Sequence, residues 1–340
     1  MLIKIPTLIF IILDSNYMVS NISLDRIKGF FMGLAVGDAL GIPVEFYSRK
    51  KLIENPVTDM RSGGTYETPA GTWSVDGSLT FCVAESLLQG FHLQNIADKF
   101  VQFLYQDYWT ARNEVFDVGV VVAQSVERIK KGAKLAEAGG NDEMDNGNGA
   151  LNYTLPLGLY HHSLPVSQRF AEIAQLSSLT NRHLRSVLGA FIFSEMGLWL
   201  MRGGHITPQK AYDAMTQTVN ELIEEEENLE QEARHYHRIL HANIADLPEG
   251  TIQSTAYVVH SLEACFWSLL NSSNFSEAVL KAVNLGEDAD TIGAMTGALA
   301  GLYYGYEHIP QEWITSIARK DDILKLSTEF YQKVINVSHA

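Results

Sequence analysis

From Asp25 onward, apolar residues recur at spacings of three and four, as in Ile96, Phe100, Val101 and Leu104, or Val187, Phe191, Met196 and Leu200. That is the period of a helix with one buried face. No two alternating runs are joined by an Asn-Gly or Asp-Gly turn, so any sheet has to be small. The pattern predicts an all-α fold, a single compact multi-helix domain over residues 25–340. Residues 1–24 stand outside it. Their run Leu8-Ile9-Phe10-Ile11-Ile12-Leu13 follows Lys4 like a signal-peptide core, but it is too short to span a bilayer and no small-x-small cleavage site follows. With Met18 available as an alternative start, this segment reads as a flexible extension or a misassigned start.

Two stretches break the helical pattern. Gly139-Gly140-Asn141-Asp142 through Asn146-Gly147-Asn148-Gly149 has loop composition. Glu224 to Glu227, within the polar stretch from Glu221 to Arg238, reads as a solvated helix face. Glycines recur every four residues at 29, 33, 37 and 41, and again at 293, 297, 301 and 305. Helical geometry puts each set on one narrow face, and each glycine costs about 1 kcal/mol against alanine in a helix interior. Close helix packing repays that cost. If the ridges pack antiparallel, the Asp38 end of the first lies beside the Asp288 start of the second, and acidic residues far apart in sequence share one pocket.

Composition narrows the function classes. With 46% apolar residues, 340 residues build a sizeable core. A net charge of -15 disfavours nucleic-acid binding, which rests on Lys and Arg neutralising phosphates, and the apolar glycine stretches are too short or too interrupted for a membrane span. Two cysteines, Cys82 and Cys265, each in an apolar helical pattern, make a disulfide framework improbable and fit a reducing cytoplasm. The 11 histidines form no zinc spacing; the adjacent pair His161 and His162, and His235 and His237, read as solvated surface. Trp73, Tyr108 and Trp109 read as packing residues at helix ends rather than as a nucleotide stack.

The densest acidic signal is Gly286-Glu287-Asp288-Ala289-Asp290-Thr291-Ile292-Gly293. In an extended segment Asp288 and Asp290 point to the same side, and with the Thr291 hydroxyl they offer oxygen ligands for a hard cation. The competing reading is helix capping. These residues alone leave both open. Two further acidic segments precede or end helical runs: Ser74-Val75-Asp76-Gly77-Ser78, and Gly37-Asp38-Ala39-Leu40-Gly41 with Glu45. Three such motifs, separated this widely, are consistent with one closed site.

Together with Phe116-Asp117-Val118-Gly119 and Asn146-Gly147-Asn148-Gly149, these segments resemble the ADP-ribosylglycohydrolase family from about Asp25 to Gly305. The resemblance implies an all-α fold with a Mg²⁺ or Mn²⁺ centre that hydrolyses ADP-ribose from a modified side chain or related ADP-ribosyl compound. By position it implies metal ligation by Ser74, Asp76, Asp288, Asp290 and Thr291. It implies catalytic roles for Glu45 and Asp290, and substrate contacts from Asn146, Gly147, Asn148, Gly149 and Asn181. Backbone donors of the glycine-rich loop would suit a diphosphate. The cation would orient the ribose and activate water, with a carboxylate as base.

The chain departs from the family pattern within the cleft. Where the pattern reads Trp-(Ser/Thr)-Asp-Asp-(Ser/Thr), Val75 replaces the first Asp and Gly77 the last hydroxyl. Where it reads Ser-x-Met-Arg, the chain has Ala150-Leu151-Asn152-Tyr153, and Leu-Thr-His appears as Leu179-Thr180-Asn181. Counted against two divalent ions, Asp76, Asp288 and Asp290 bring one charge too few, so one ion rather than two is expected. Glu287 is expected to point away from its neighbour Asp288. Two readings follow: a hydrolase acting on an ADP-ribosylated protein, or an impaired relative that holds ADP-ribose or covers a partner such as an ADP-ribosyltransferase.

Overall fold

The glycine ridges settle the architecture. A computed structural model of the chain describes residues 22–337, so the apolar run Leu8–Leu13 and the reading placed on it lie outside the described residues. Helix α1, Leu24–Gly41, starts at Ser23, whose hydroxyl accepts the Arg26 N–H. The longer helices that follow are α2 (Val75–Leu87), α3 (Leu93–Gln106), α4 (Val120–Lys130), α5 (Leu151–Tyr160) and α6 (Val166–Ser177). After them come α7 (Leu184–Met201), α8 (Pro208–Glu225), α9 (Val258–Leu270), α10 (Phe275–Val283), α11 (Ala289–Tyr304) and α12 (Lys320–Val337). The described residues contain no strand, only isolated bridges such as Gly147 with Tyr257.

Helices α1 and α11 lie antiparallel at the centre, backbone against backbone. A Cβ on Gly29, Gly33 or Gly37 would meet the carbonyl oxygen of Gly301, Gly297 or Gly293 respectively, well inside 3.0 Å. No side chain other than hydrogen fits there, which is why these helix interiors tolerate glycine. The register brings Gly41 against the backbone of Ala289 and Asp290. Thus the C-terminal end of α1 meets the N-terminal end of α11, the juxtaposition that the antiparallel argument requires.

Around this pair the core is continuous, from Phe30 and Phe31 on α1 through Phe81, Phe191 and Phe266 to Phe330 on α12. Two segments, Leu24–Val44 and Leu184–Met201, are long and apolar enough to cross a membrane, but 94% and 89% of them is buried inside the fold. They are the inner helices of the domain. Cys82 and Cys265 are buried and unpaired. Glu224 to Glu227 are exposed, as their charge requires. Contrary to a solvated surface role, His162 is buried and His161 is half-buried beside Glu172, where burial lowers the imidazole to about 4 and keeps it neutral. Their helix end is covered by neighbouring residues, including Phe91, whose ring meets His161 edge-on, and adjacency in sequence carries no sign of that.

Candidate active site

Helix ends deliver the acidic residues to one place. Ser74 is the N-cap of α2, its hydroxyl accepting the Asp76 N–H at 3.3 Å. Asp38, fully buried on α1, accepts from the Ser74 N–H at 2.9 Å, the Ser74 hydroxyl at 3.2 Å and the Gly77 N–H at 3.2 Å. One buried carboxylate thereby fixes the start of α2, and the Ser74 hydroxyl serves the cap rather than the cavity. The Asp288 N–H donates to Ser254 O at 3.0 Å, so α11 starts with Asp288 as its N-cap and Asp290 in its first turn. Glu287 is exposed while Asp290 is buried, as expected for a neighbour pointing the other way.

The cavity at this end has a volume of about 290 Å³. Among the residues expected to form a site, it brings together Glu45, Asp76, Gly147, Asn148, Gly149, Asn181, Asp288 and Thr291. Ser74, Asn146 and Asp290 do not line it. Asp290 sits beneath the lining, 1% exposed, with neither carboxylate oxygen hydrogen-bonded. Oxygens of Glu45, Asp117 and Asp290 lie within 4.8 Å of one another, a spacing that could hold a cation. The sequence marks Asp117 only as part of the Phe116-Asp117-Val118-Gly119 motif, because nothing in its spacing ties it to Asp290. Tyr66, which donates to Asp117 Oδ1 at 2.8 Å, lies in a loop with no sequence signal at all.

Five carboxylates, those of Glu45, Asp76, Asp117, Asp288 and Asp290, therefore converge where the sequence count had three. Burial, then the neighbouring Asp117 and Asp288 charges, pushes Glu45 up to about 9. Burial and the Asp76 charge push Asp288 up to about 7, and burial pushes Asp76 up to about 6. Asp290 is raised well above the ordinary range by burial and by Asp117 and Glu45. The Thr291 hydroxyl opposes the shift on both Asp76 and Asp288. A site that holds carboxyls together at this cost is built for a counter-charge. The unpartnered buried oxygens of Glu45, Asp76 and Asp290 are the donors that a hard divalent cation takes.

The glycine-asparagine loop, which lines the cavity through Gly147, Asn148 and Gly149, is held in place by its polar residues. Asn146, which does not line the cavity, donates to Glu143 O and accepts from Ser186. The Asn148 N–H is spent on Ala256 O at 3.0 Å, and its side-chain amide donates to Ser261 and to the Asp288 carboxylate. Asn148 thus orients Asp288, and its backbone donor is not available to a diphosphate. Asn181 lines the cavity, yet its amide donates to Asp145 O and its carbonyl accepts from Thr180. Tyr153 also lines the cavity, with its hydroxyl turned away to Thr180 at 2.6 Å and its ring on Phe100. Trp73 and Trp109 pack on Phe81, outside the cavity, as packing residues.

The chain is similar to known proteins over most of its length. A family model described as ADP-ribosylglycohydrolase matches residues 20–339. An ADP-ribosylarginine hydrolase, Tri1, of Serratia proteamaculans is 30% identical over 316 residues, covering 91% of this chain and 80% of its own. The ADP-ribosyl-[dinitrogen reductase] glycohydrolase of Rhodospirillum rubrum is 29% identical, covering 87% and 91%. A solved structure titled ADP-ribosylglycohydrolase-related protein complex superposes with a TM-score of 0.74 at 27% identity, covering 92% of this chain and 98% of its own.

Proposed function

Because the chain belongs to the ADP-ribosylglycohydrolase family, we propose that it removes ADP-ribose from a modified protein side chain in a divalent-cation-dependent hydrolysis. The observation that carries this reading is the set of buried, unpartnered carboxylate oxygens of Glu45, Asp76 and Asp290 gathered at one end of an open cavity. A Mg²⁺ or Mn²⁺ ion held by Asp76, Asp288, Asp290 and Thr291 would supply neutralising charge and Lewis acidity there.

The chain's own residues account for the proton movements. Glu45 and Asp117 lie close enough to share one proton, and Glu45, pushed up to about 9, is the carboxyl that holds it near neutral pH, which leaves its partner as the base of the pair. The ionised carboxyl takes a proton from water as its oxygen bonds to the ribose anomeric carbon. The protonated one gives its proton to the leaving side-chain nitrogen as the glycosidic bond breaks. An arginine adduct is the first substrate to test, because a guanidinium leaving group is a cation and this cavity is acidic, and because a 30% identical relative is named for that linkage.

A second reading has its own support. Val75 puts an isopropyl group on the cavity wall where the family pattern has a carboxylate, and Tyr153 stands in for the pattern's arginine. Such a site could hold ADP-ribose without cleaving it. Release of free ADP-ribose from an ADP-ribosylarginine protein, with Mg²⁺ or with Mn²⁺, separates the two. Release that is lost in Asp290→Ala supports the hydrolase; no release from this substrate, while ADP-ribose still binds, supports the second reading. Val75→Asp is the informative companion variant. Gly77→Ser is not, since a Cβ at 77 would lie 2.8 Å from the Trp73 ring.

A further inference from the structure

Two departures from the family pattern meet at one carboxylate. Val75 stands where the pattern has an aspartate, one residue before Asp76, and Asn152 stands where Ser-x-Met-Arg has its methionine. Asn152 is the second residue of α5, a helix buried along its whole length, and is itself 1% exposed. Neither its Nδ2 nor its Oδ1 has a hydrogen-bond partner. Among the described residues it is the one uncharged side chain with both polar atoms orphaned in this way.

Burying an unpartnered amide costs about 1–3 kcal/mol, which a methionine in the same place would avoid. Packing gives no reason for the asparagine. Its surroundings do: α5 packs against α2, on which Asp76 Oδ2 is also buried without a hydrogen-bond partner, and the Asn152 amide lies near enough to the Asp76 carboxyl to favour its charged form. A donor and an acceptor, neither satisfied by a well-formed hydrogen bond, therefore lie beside a carboxylate assigned to a cation.

We propose that Asn152 is a positioning and ligand residue of this site, its N–H orienting Asp76 and its carbonyl oxygen supplying a neutral donor to the divalent cation in place of the carboxylate lost at position 75. The assignment rests on the cation-dependent reading given above. It accounts for two substitutions with one physical cause: an anionic ligand is removed at 75 and a neutral oxygen is returned from α5. Asparagine carbonyls are ordinary ligands for hard cations, and a residue that holds a ligating carboxylate typically changes metal affinity 10–100-fold when it is replaced.

The test is a calorimetric titration of Mn²⁺ into the natural protein, Asn152→Met, Asn152→Asp and Asp290→Ala, with the metal-free melting temperature measured for each. Asn152→Met should bind Mn²⁺ about 10–100-fold more weakly while its metal-free melting temperature stays level or rises, because the orphaned amide is gone. Asn152→Asp keeps an oxygen donor and should bind at the natural level or tighter. Equal affinity in the natural protein and Asn152→Met would overturn the assignment and leave the cation-dependent reading standing. A natural protein that binds no Mn²⁺ would overturn both. Should Asn152→Met fail to fold, Asn152→Asp decides alone, and weaker binding there overturns the assignment.

Discussion

The Phe46 N–H donates to the Glu287 carbonyl at 2.7 Å, and the Glu287 N–H donates to Tyr47 O at 2.7 Å. Both residues hold positive φ, 67° and 59°. This latch ties the segment that carries Glu45 to the segment that carries Asp288, and it uses backbone that side-chain-bearing residues adopt at a cost.

Glu287 is exposed, and it is tied to the Glu45 segment through its backbone N–H and C=O. Glu287→Gly should therefore raise the unfolding free energy by up to about 1 kcal/mol, through relief of the left-handed conformation. Mn²⁺ affinity should not change. A loss of affinity in titration would mean that Glu287 ligates the ion after all.

Closure of the central helix pair predicts a sharp response to one methyl group. Gly37→Ala places a Cβ on the Gly293 carbonyl, and the two backbones must part. Overpacking of this kind costs about 1–3 kcal/mol and can exceed that where backbone must move. Chemical denaturation would show it. A change within about 0.5 kcal/mol, the range of ordinary surface substitutions, would mean that the ridges are less tightly joined than described.

Stability should depend on pH with a definite sign. Asp76, Asp288 and Glu45 titrate at about 6, 7 and 9 in the fold, against ordinary values of 3.8, 3.8 and 4.5. Through that window the native state binds more protons than the unfolded chain, so metal-free stability is fully present at low pH and falls as pH rises. A divalent cation displaces those protons. The melting-temperature gain from saturating Mg²⁺ should thus grow from about pH 5.5 to about pH 8.5. A gain that shrinks over this range would contradict the picture.

Asp290→Asn separates the cost of the site from its use. The carboxylate is buried without a hydrogen bond among other acids, so its neutral amide should melt at the same or a higher temperature without metal. The stabilisation by Mg²⁺ should disappear. A variant that melts lower without metal, yet still gains from Mg²⁺, would make Asp290 a structural residue.

Much of this was legible one residue at a time. The period of three and four predicts the helices, and Gly29 to Gly41 and Gly293 to Gly305 predict the close pair, because glycine at every fourth position has few other uses. Asp288, Asp290 and Glu45 were visible as acids beside helix ends. Asp117 and Tyr66 were not, since their meeting with Asp290 depends on where the loops between α3 and α4 and before α2 come to rest. His161 and His162 misled because exposure is a property of neighbours.

The sequence by itself therefore determined the helices, two narrow glycine faces that call for close packing and the acidic residues at their ends, since each follows from local period or from a steric rule that acts along one helix. That the two faces meet each other, antiparallel, as α1 and α11 was decided by the tertiary structure. Only the tertiary structure decided which carboxylates converge, that Asn148 and Asp38 serve to orient Asp288 and Ser74, and that Asn152 lies beside Asp76. Those facts depend on distances between segments far apart in the chain, and such distances are set by packing of the whole core rather than by any residue's own preference.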